Sequence, residues 1–199
     1  MDADPDWIVS TVDGKIAAIS LDFTIFTEIM KKISRLPADS VSEIKCFKMK
    51  TEEVLAMSGS VRWEDLRLFG STFQKMVWKK LFELNHPAPE SEHPGLMSYT
   101  GFAEICGKKT GVRAVAHAVA QNPVAIIIPC HLIVPKEAMD RIDEIERQAE
   151  NSLFGTDGLI PDPSLDFGEY RYGKELKRRL ITWKHGKGAA QKTGITRDF

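Results

Sequence analysis

Pro129-Cys130-His131 sets a thiol beside an imidazole at the end of an apolar run, in a chain of 199 residues. A thiol of pKa about 8.5 is only a few per cent thiolate at neutral pH, and the thiolate is the nucleophile. A base that reaches it, directly or through one water, raises that fraction. The same pair would suit a cysteine hydrolase, so on its own it leaves the reaction open. The other two cysteines, Cys46 and Cys106, read as small buried hydrophobes. An odd number of widely spaced cysteines supplies neither a disulfide framework nor a Cys-rich zinc site, and it points to a reducing, intracellular compartment.

The elements that must position this pair can be read outward from it. Asn122-Pro123-Val124 leads into Ala125-Ile126-Ile127-Ile128, whose continuous apolar character predicts a short buried strand ending at Pro129. Upstream, Tyr99–Cys106 predicts a short helix closing near Gly107, and residues 111–120 a second one with Thr110 as its N-cap. Two short helices joined by a Gly-containing turn are a helix-turn-helix candidate, although most such pairs merely pack. Ala114, Ala116 and Ala118 are small enough to let the second helix approach another surface closely. Arg113 lies near its N-terminal end, where recognition helices touch DNA. Further upstream, Ser71 opens a helix over 72–84 with Phe73, Val77, Leu81 and Leu84 as its apolar stripe. Residues 1–67 predict a small α+β unit, beginning with a hairpin around Asp13-Gly14 and a helix over 22–33. Downstream of the pair, residues 138–150 repeat apolar positions at helical spacing. After Tyr170-Arg171-Tyr172-Gly173 a basic helix is expected from Lys174 to about Lys184.

A net charge of −1 conceals an asymmetry. Residues 136–166 carry three basic and nine acidic side chains, whereas residues 168–199 carry nine basic and three acidic ones. The basic stretch could meet phosphates or be a solvated helix face, and charge alone favours neither. The acidic stretch, about 137–163, reads as a surface insertion. The longest apolar run, Pro123–Pro129, is too short to span a bilayer, so no membrane partner is expected. The acidic first residues lack the apolar region of a secretory signal.

Taken together, these motifs resemble the O6-alkylguanine-DNA alkyltransferase family. The resemblance rests on Asn122-Pro123-Val124, Ile128-Pro129-Cys130-His131, Ser98-Tyr99 and Arg113-Ala114-Val115. It extends to Phe73-Gln-Lys-Met-Val-Trp78 and to Tyr170-Arg-Tyr-Gly173 followed by Lys177. It implies an α+β N-terminal domain (1–67) followed by a mainly α, winged helix-turn-helix-like domain (68–199) carrying the active site. It also implies single-turnover repair of O6-alkylguanine in double-stranded DNA, with O4-alkylthymine left open. Cys130 would accept the alkyl group and His131 would serve as a water-mediated base. Tyr99 would donate a proton toward guanine N3, and Asn122 would organise the turn under the site. Arg113 would replace the flipped nucleotide, with Ser98, Ala114 and Thr110 as further DNA contacts. Tyr170, Arg171, Tyr172 and Lys177 would line the base pocket. No metal or organic cofactor is implied, a monomer is expected, and DNA as substrate suggests residence in the nucleus.

Four departures from the family pattern qualify this reading. Leu132 follows His131 where the family has Arg. Lys184 falls where the family's relay ends in Glu; a lysine there would disfavour charged His131, leaving Glu169 and Asp166 as alternative carboxylates. The connection from His131 to Tyr170 is long. Tyr172 replaces Gly and predicts a tighter pocket. The zinc-binding N-terminal variant is not matched, since Cys46 is the only early cysteine and no histidine precedes His86. Two rival readings are a relative that binds alkylated DNA without repairing it and a helix-turn-helix regulator without chemistry.

Overall fold

The structure is a computed structural model and describes residues 4–85, 96–150 and 165–182. Asp13 and Gly14 both adopt positive φ, 50° and 75°, as a type I′ turn requires. They join β1 (Asp6–Val12) to β2 (Lys15–Ser20), with Val9 opposite Ile19 and a bulge at Ser10/Thr11. The helix α1 (Thr24–Ile33) lays Ile25 and Ile29 over Val12, Ala17 and Ala18. A third strand, β3 (Ile44–Lys50), pairs antiparallel with β1 to give the order β2-β1-β3, and α2 (Thr51–Ser58) follows directly. The segment over 40–67 thus resolves into one strand, one α-helix and a 3-10 turn at Trp63–Asp65, whose order short apolar runs did not reveal.

Beyond residue 70, Ser71 and Gln74 form a reciprocal cap for α3 (Thr72–Asn85). The Ser71 N–H donates to Gln74 Oε1 at 2.8 Å and the Gln74 N–H to Ser71 Oγ at 3.2 Å. Next come β4 (Met97–Ser98), α4 (Tyr99–Ile105) and α5 (Val112–Ala120). Gly107 ends α4 with φ 65°. Its N–H reaches Glu104 O and the Lys108 N–H reaches Ala103 O, both at 2.8 Å, which is a Schellman closure. Thr110 does not cap α5: the N-cap is Gly111, with no side-chain cap bond. A two-residue strand β5 (Ile133–Val134) runs parallel to β4, then α6 (Lys136–Glu150) and a last helix α7 over 174–182 complete the fold. The architecture is mixed α/β, with small sheets and several helices. Among the described residues no helix is long and apolar enough to cross a membrane.

The strand expected over 125–128 is not there. Val124 makes a single parallel bridge to Ile19, and the chain then coils through a buried turn. The Ile127 N–H returns to Ala125 O at 2.9 Å and the Ile128 N–H to Val124 O at 3.0 Å. An apolar run reports burial, and only tertiary partners decide whether buried backbone pairs with a neighbour or with itself. Here β2 offers one residue of edge: Ile19 N–H donates to Pro123 O at 2.9 Å, and Ala125 N–H to Ile19 O at 3.1 Å. One hydrophobic cluster consequently runs from Trp7, Val9 and Ile19 through Trp78 and Val115 to Ile126–Ile128 and Leu180. A smaller cluster seats α6 through Ala138 and Ile142 on Val134, Leu165, Phe167 and Ile181.

Candidate active site

Cys130 opens a 3-10 turn, Cys130–Leu132, that leaves the buried 124–129 coil. Asn122 holds that coil together. Its Oδ1 accepts from the Val124 N–H at 3.0 Å, and its Nδ2 donates to Ile128 O at 2.7 Å and to Cys130 Sγ at 3.1 Å. An Asn three per cent exposed with its carbonyl and amide both engaged is a structural pin, and here the pin also touches the sulfur. Within the coil, Ile126 is a β-branched residue at φ 70°, strain of order 1–3 kcal/mol that the surrounding core must hold.

Cys130 faces a cavity of about 320 Å³ walled by Tyr99, Val119, Ala120, Asn122, Ala125, Glu169, Tyr170, Arg171 and Tyr172. Of the residues assigned from sequence, the structure therefore gathers Cys130, Asn122, Tyr99, Tyr170, Arg171 and Tyr172 around one space. Tyr99 enters as the first residue of α4, with Ser98 as the N-cap, its Oγ accepting from the Gly101 N–H at 3.1 Å. Tyr170 and Tyr172 meet edge to face, ring centroids 5.4 Å apart. Tyr172 is in turn met edge-on by Trp7 of β1, at 5.3 Å.

Other assigned residues lie elsewhere. Lys177 does not line the cavity. It is completely buried behind it, donating from Nζ to Ile133 O at 2.8 Å and Glu169 O at 3.3 Å. His131 is buried beneath the cavity rather than on its wall, and Leu132 fills core space fully. Glu169 and Asp166, the alternative relay carboxylates, are both exposed. Both point to solvent and pair with Lys174, at 3.1 and 3.0 Å. Lys184 lies outside the described residues. Arg113, Ala114 and Thr110 are exposed, Arg113 on the face of α5 opposite Val115, Ala118 and Val119 and Ala114 on its flank. Ala118 does not share that exposed face: it packs inward, its carbonyl accepting from Trp78 Nε1 at 2.8 Å.

The electrostatics follow from this burial. Desolvation pushes the Cys130 thiol up, opposed by the Asn122 N–H and by the positive charges of Lys177 and Arg171. Desolvation likewise lowers Lys177 to about 8, with the cysteine as the largest opposing influence. Burial raises the phenols of Tyr99 and Tyr172, and that of Tyr170 well above its ordinary value. The wall therefore presents neutral phenolic donors to whatever enters. Among the described residues no cluster of three metal-ligating side chains occurs.

Trp7, Val119 and Ala120 were not identified from sequence, and Glu169 was considered only as a relay carboxylate, not as part of the cavity wall. Trp7 carries no motif, and its role depends on a sheet and a loop 165 residues apart meeting in space. Val119 and Ala120 end the Ala-rich helix, where only the fold shows that the cavity begins.

Residues 72–150 match the model of the 6-O-methylguanine DNA methyltransferase DNA-binding domain. A probable methylated-DNA–protein-cysteine methyltransferase of Acanthamoeba polyphaga mimivirus is 43% identical over 72 residues, 36% of this chain and 44% of that one. The methylated-DNA–protein-cysteine methyltransferase of Methanosarcina barkeri is 38% identical over 107 residues, 52% and 63% respectively. The chain thus spans less than two thirds of either of these relatives. That of Methanosarcina mazei is 32% identical over 117 residues, 57% of this chain and 69% of its own length. With its cysteine turn inside the matched domain and a relative aligned over most of its length, the chain belongs to the methylated-DNA–protein-cysteine methyltransferase family.

Proposed function

We propose that this protein repairs DNA by moving an alkyl group from guanine O6 to Cys130 Sγ, once per molecule. The observation that carries this reading is the placement of Cys130, pinned by Asn122, on a cavity walled by three tyrosines. The target oxygen is inaccessible within a duplex, so the nucleotide is extruded at a cost of a few kcal/mol. The pair α4–α5 serves as the helix-turn-helix, with a winged fold around it, and residues 68–199 carry the chemistry while 1–67 support it. Arg113 and Ala114 on the exposed face of α5 enter the minor groove, where Arg113 fills the vacated stack and offsets part of the extrusion cost. Thr110 lies at the edge of that contact, and Ser98 contributes by fixing Tyr99 through the helix cap.

In the transfer itself, Cys130 first loses its proton, with buried His131 as the acceptor through water. The sulfur lone pair then attacks the alkyl carbon, the C–O bond breaks, and its electron pair passes to the guanine. Tyr99 protonates the departing base at N3, yielding neutral guanine and a thioether on Cys130. The thioether has no hydrolytic exit, so the molecule acts once. Alkylated double-stranded DNA is the partner of a monomeric protein resident in the nucleus.

Intact-mass measurement tests this directly. Incubation with a duplex containing O6-methylguanine is expected to add one methyl group, and Cys130→Ala to abolish the gain. Binding without a mass change would instead establish a non-repairing DNA-binding protein.

A further inference from the structure

Among the described residues Arg171 is the single cation on the cavity wall, and it makes no ion pair there. Its exposed side chain is held in place by Nη2 donating to Ala120 O at 2.8 Å. Ala120 is the last residue of α5, so this bond covers the partly negative C-terminus of the helix at the cavity mouth. The one carboxylate among the described residues of the same wall, Glu169, is already matched by Lys174 at 3.1 Å. The mouth therefore keeps an uncompensated guanidinium, anchored through one of its five N–H donors, with the others available. A nucleotide whose base occupies the cavity must leave its sugar and flanking phosphates at that mouth. A planar guanidinium fork fits a phosphate in bidentate fashion.

We propose that Arg171 binds a backbone phosphate flanking the extruded nucleotide, so that the site selects a damaged base attached to DNA over the same base free in solution. This rests on the alkyl-transfer reading above. It assigns Arg171 to substrate binding, distinct from the groove-facing Arg113 on the other end of α5.

The test measures affinity for an O6-methylguanine duplex in the non-reacting Cys130→Ala background. Arg171→Gln removes the charge but keeps a donor for Ala120 O, whereas Arg171→Lys keeps the charge. The plot of log affinity against log salt is expected to flatten by about 0.9 in the Gln variant and to hold its slope in the Lys variant. Two further duplexes carry a neutral methylphosphonate immediately 5′ or 3′ of the lesion. One of them should weaken binding with Arg171 present and make little further difference once Arg171 is Gln, the signature of a coupled pair. With Cys130 intact, Arg171→Gln should slow methyl gain from the duplex at least tenfold more than gain from free O6-methylguanine. Additive losses at both methylphosphonates, or equal slowing with duplex and free base, would overturn the assignment and place Arg171 with the groups that shape the cavity. Failure of the unaltered protein to gain a methyl group from any duplex would overturn the transfer reading itself, and this assignment with it.

Discussion

At Cys130, two opposing influences meet on one sulfur. Burial disfavours the thiolate, while the Asn122 N–H at 3.1 Å and the charges of Lys177 and Arg171 favour it. Because desolvation is the largest influence, alkylation of Cys130 by iodoacetamide should rise with pH, reaching half its maximum above the free-thiol value of about 8.5. The other titratable groups around the sulfur are Tyr99, Tyr170, Tyr172, Glu169 and His131, and mass spectrometry of the Cys130 peptide isolates its rate from Cys46 and Cys106. A midpoint near 7 would show that the His131 relay outweighs burial. Asn122→Ala should move that midpoint further up. It also strands the Val124 N–H in the core, while Ile128 O keeps the Cys130 N–H at 2.9 Å, so urea denaturation should show a loss of about 1–3 kcal/mol. Tyr172 fills the wall between Tyr170 and Trp7. Tyr172→Gly is expected to speed inactivation by a benzylated guanine base, and equal rates would refute the narrowed pocket.

Among the elements, the β1–β2 turn is tied to two distant segments by a single carboxylate. Asp13 accepts from Ser42 Oγ at 2.7 Å and from the Ser42 and Glu43 N–H groups, both at 2.9 Å. It also pairs with Arg67, which donates onward to Ser40 O. These contacts, the Ser42 hydroxyl foremost, lower Asp13 to about 2 from the usual 3.8. A carboxylate depressed on folding stabilises the native state above its unfolded pKa and loses that contribution as the pH falls through its folded one. The protein should therefore lose stability between about pH 4 and pH 2 more steeply than its Asp13→Asn variant, as followed by circular dichroism. Parallel acid profiles would show that the turn contributes nothing through its charge. The pair α4–α5 is set differently, by backbone closure at Gly107 and by Trp78 Nε1 holding the Ala118 carbonyl.

On the scale of the whole molecule, the three-stranded sheet and the cysteine turn form one packed body. Ile19 bonds Pro123 and Ala125, and Trp7 braces Tyr172 while its Nε1 donates to Thr51 Oγ1 at 2.9 Å. Trp7→Ala should cost about 3–5 kcal/mol of stability. It should also slow methyl transfer at temperatures where the variant remains folded, because the wall behind Tyr172 is gone. An unchanged rate in the folded variant would confine the sheet to a scaffolding role. The acidic helix α6 takes its place through Ala138 and Ile142, leaving its charged face outward and away from the cavity wall.

Sequence by itself determined most helices and singled out several of the residues that the fold gathers around one cavity. Cys130, Asn122, Tyr99, Tyr170 and Tyr172 sit in recognisable motifs, and helices announce themselves through local periodicity, caps and Gly stops. The Asp13-Gly14 hairpin was equally local, since positive φ at two adjacent positions is a property of those residue types. What tertiary structure alone decided was the state of the 125–128 run, the burial of Lys177 behind the site, and the union of β1 with the Tyr170–Tyr172 loop. Each depends on which partner a buried group finds. Ile127 bonds within its own turn, Lys177 reaches carbonyls of Ile133 and Glu169, and Trp7 meets Tyr172. Hydrophobicity and charge say that such groups must be satisfied; only the assembled fold says by whom.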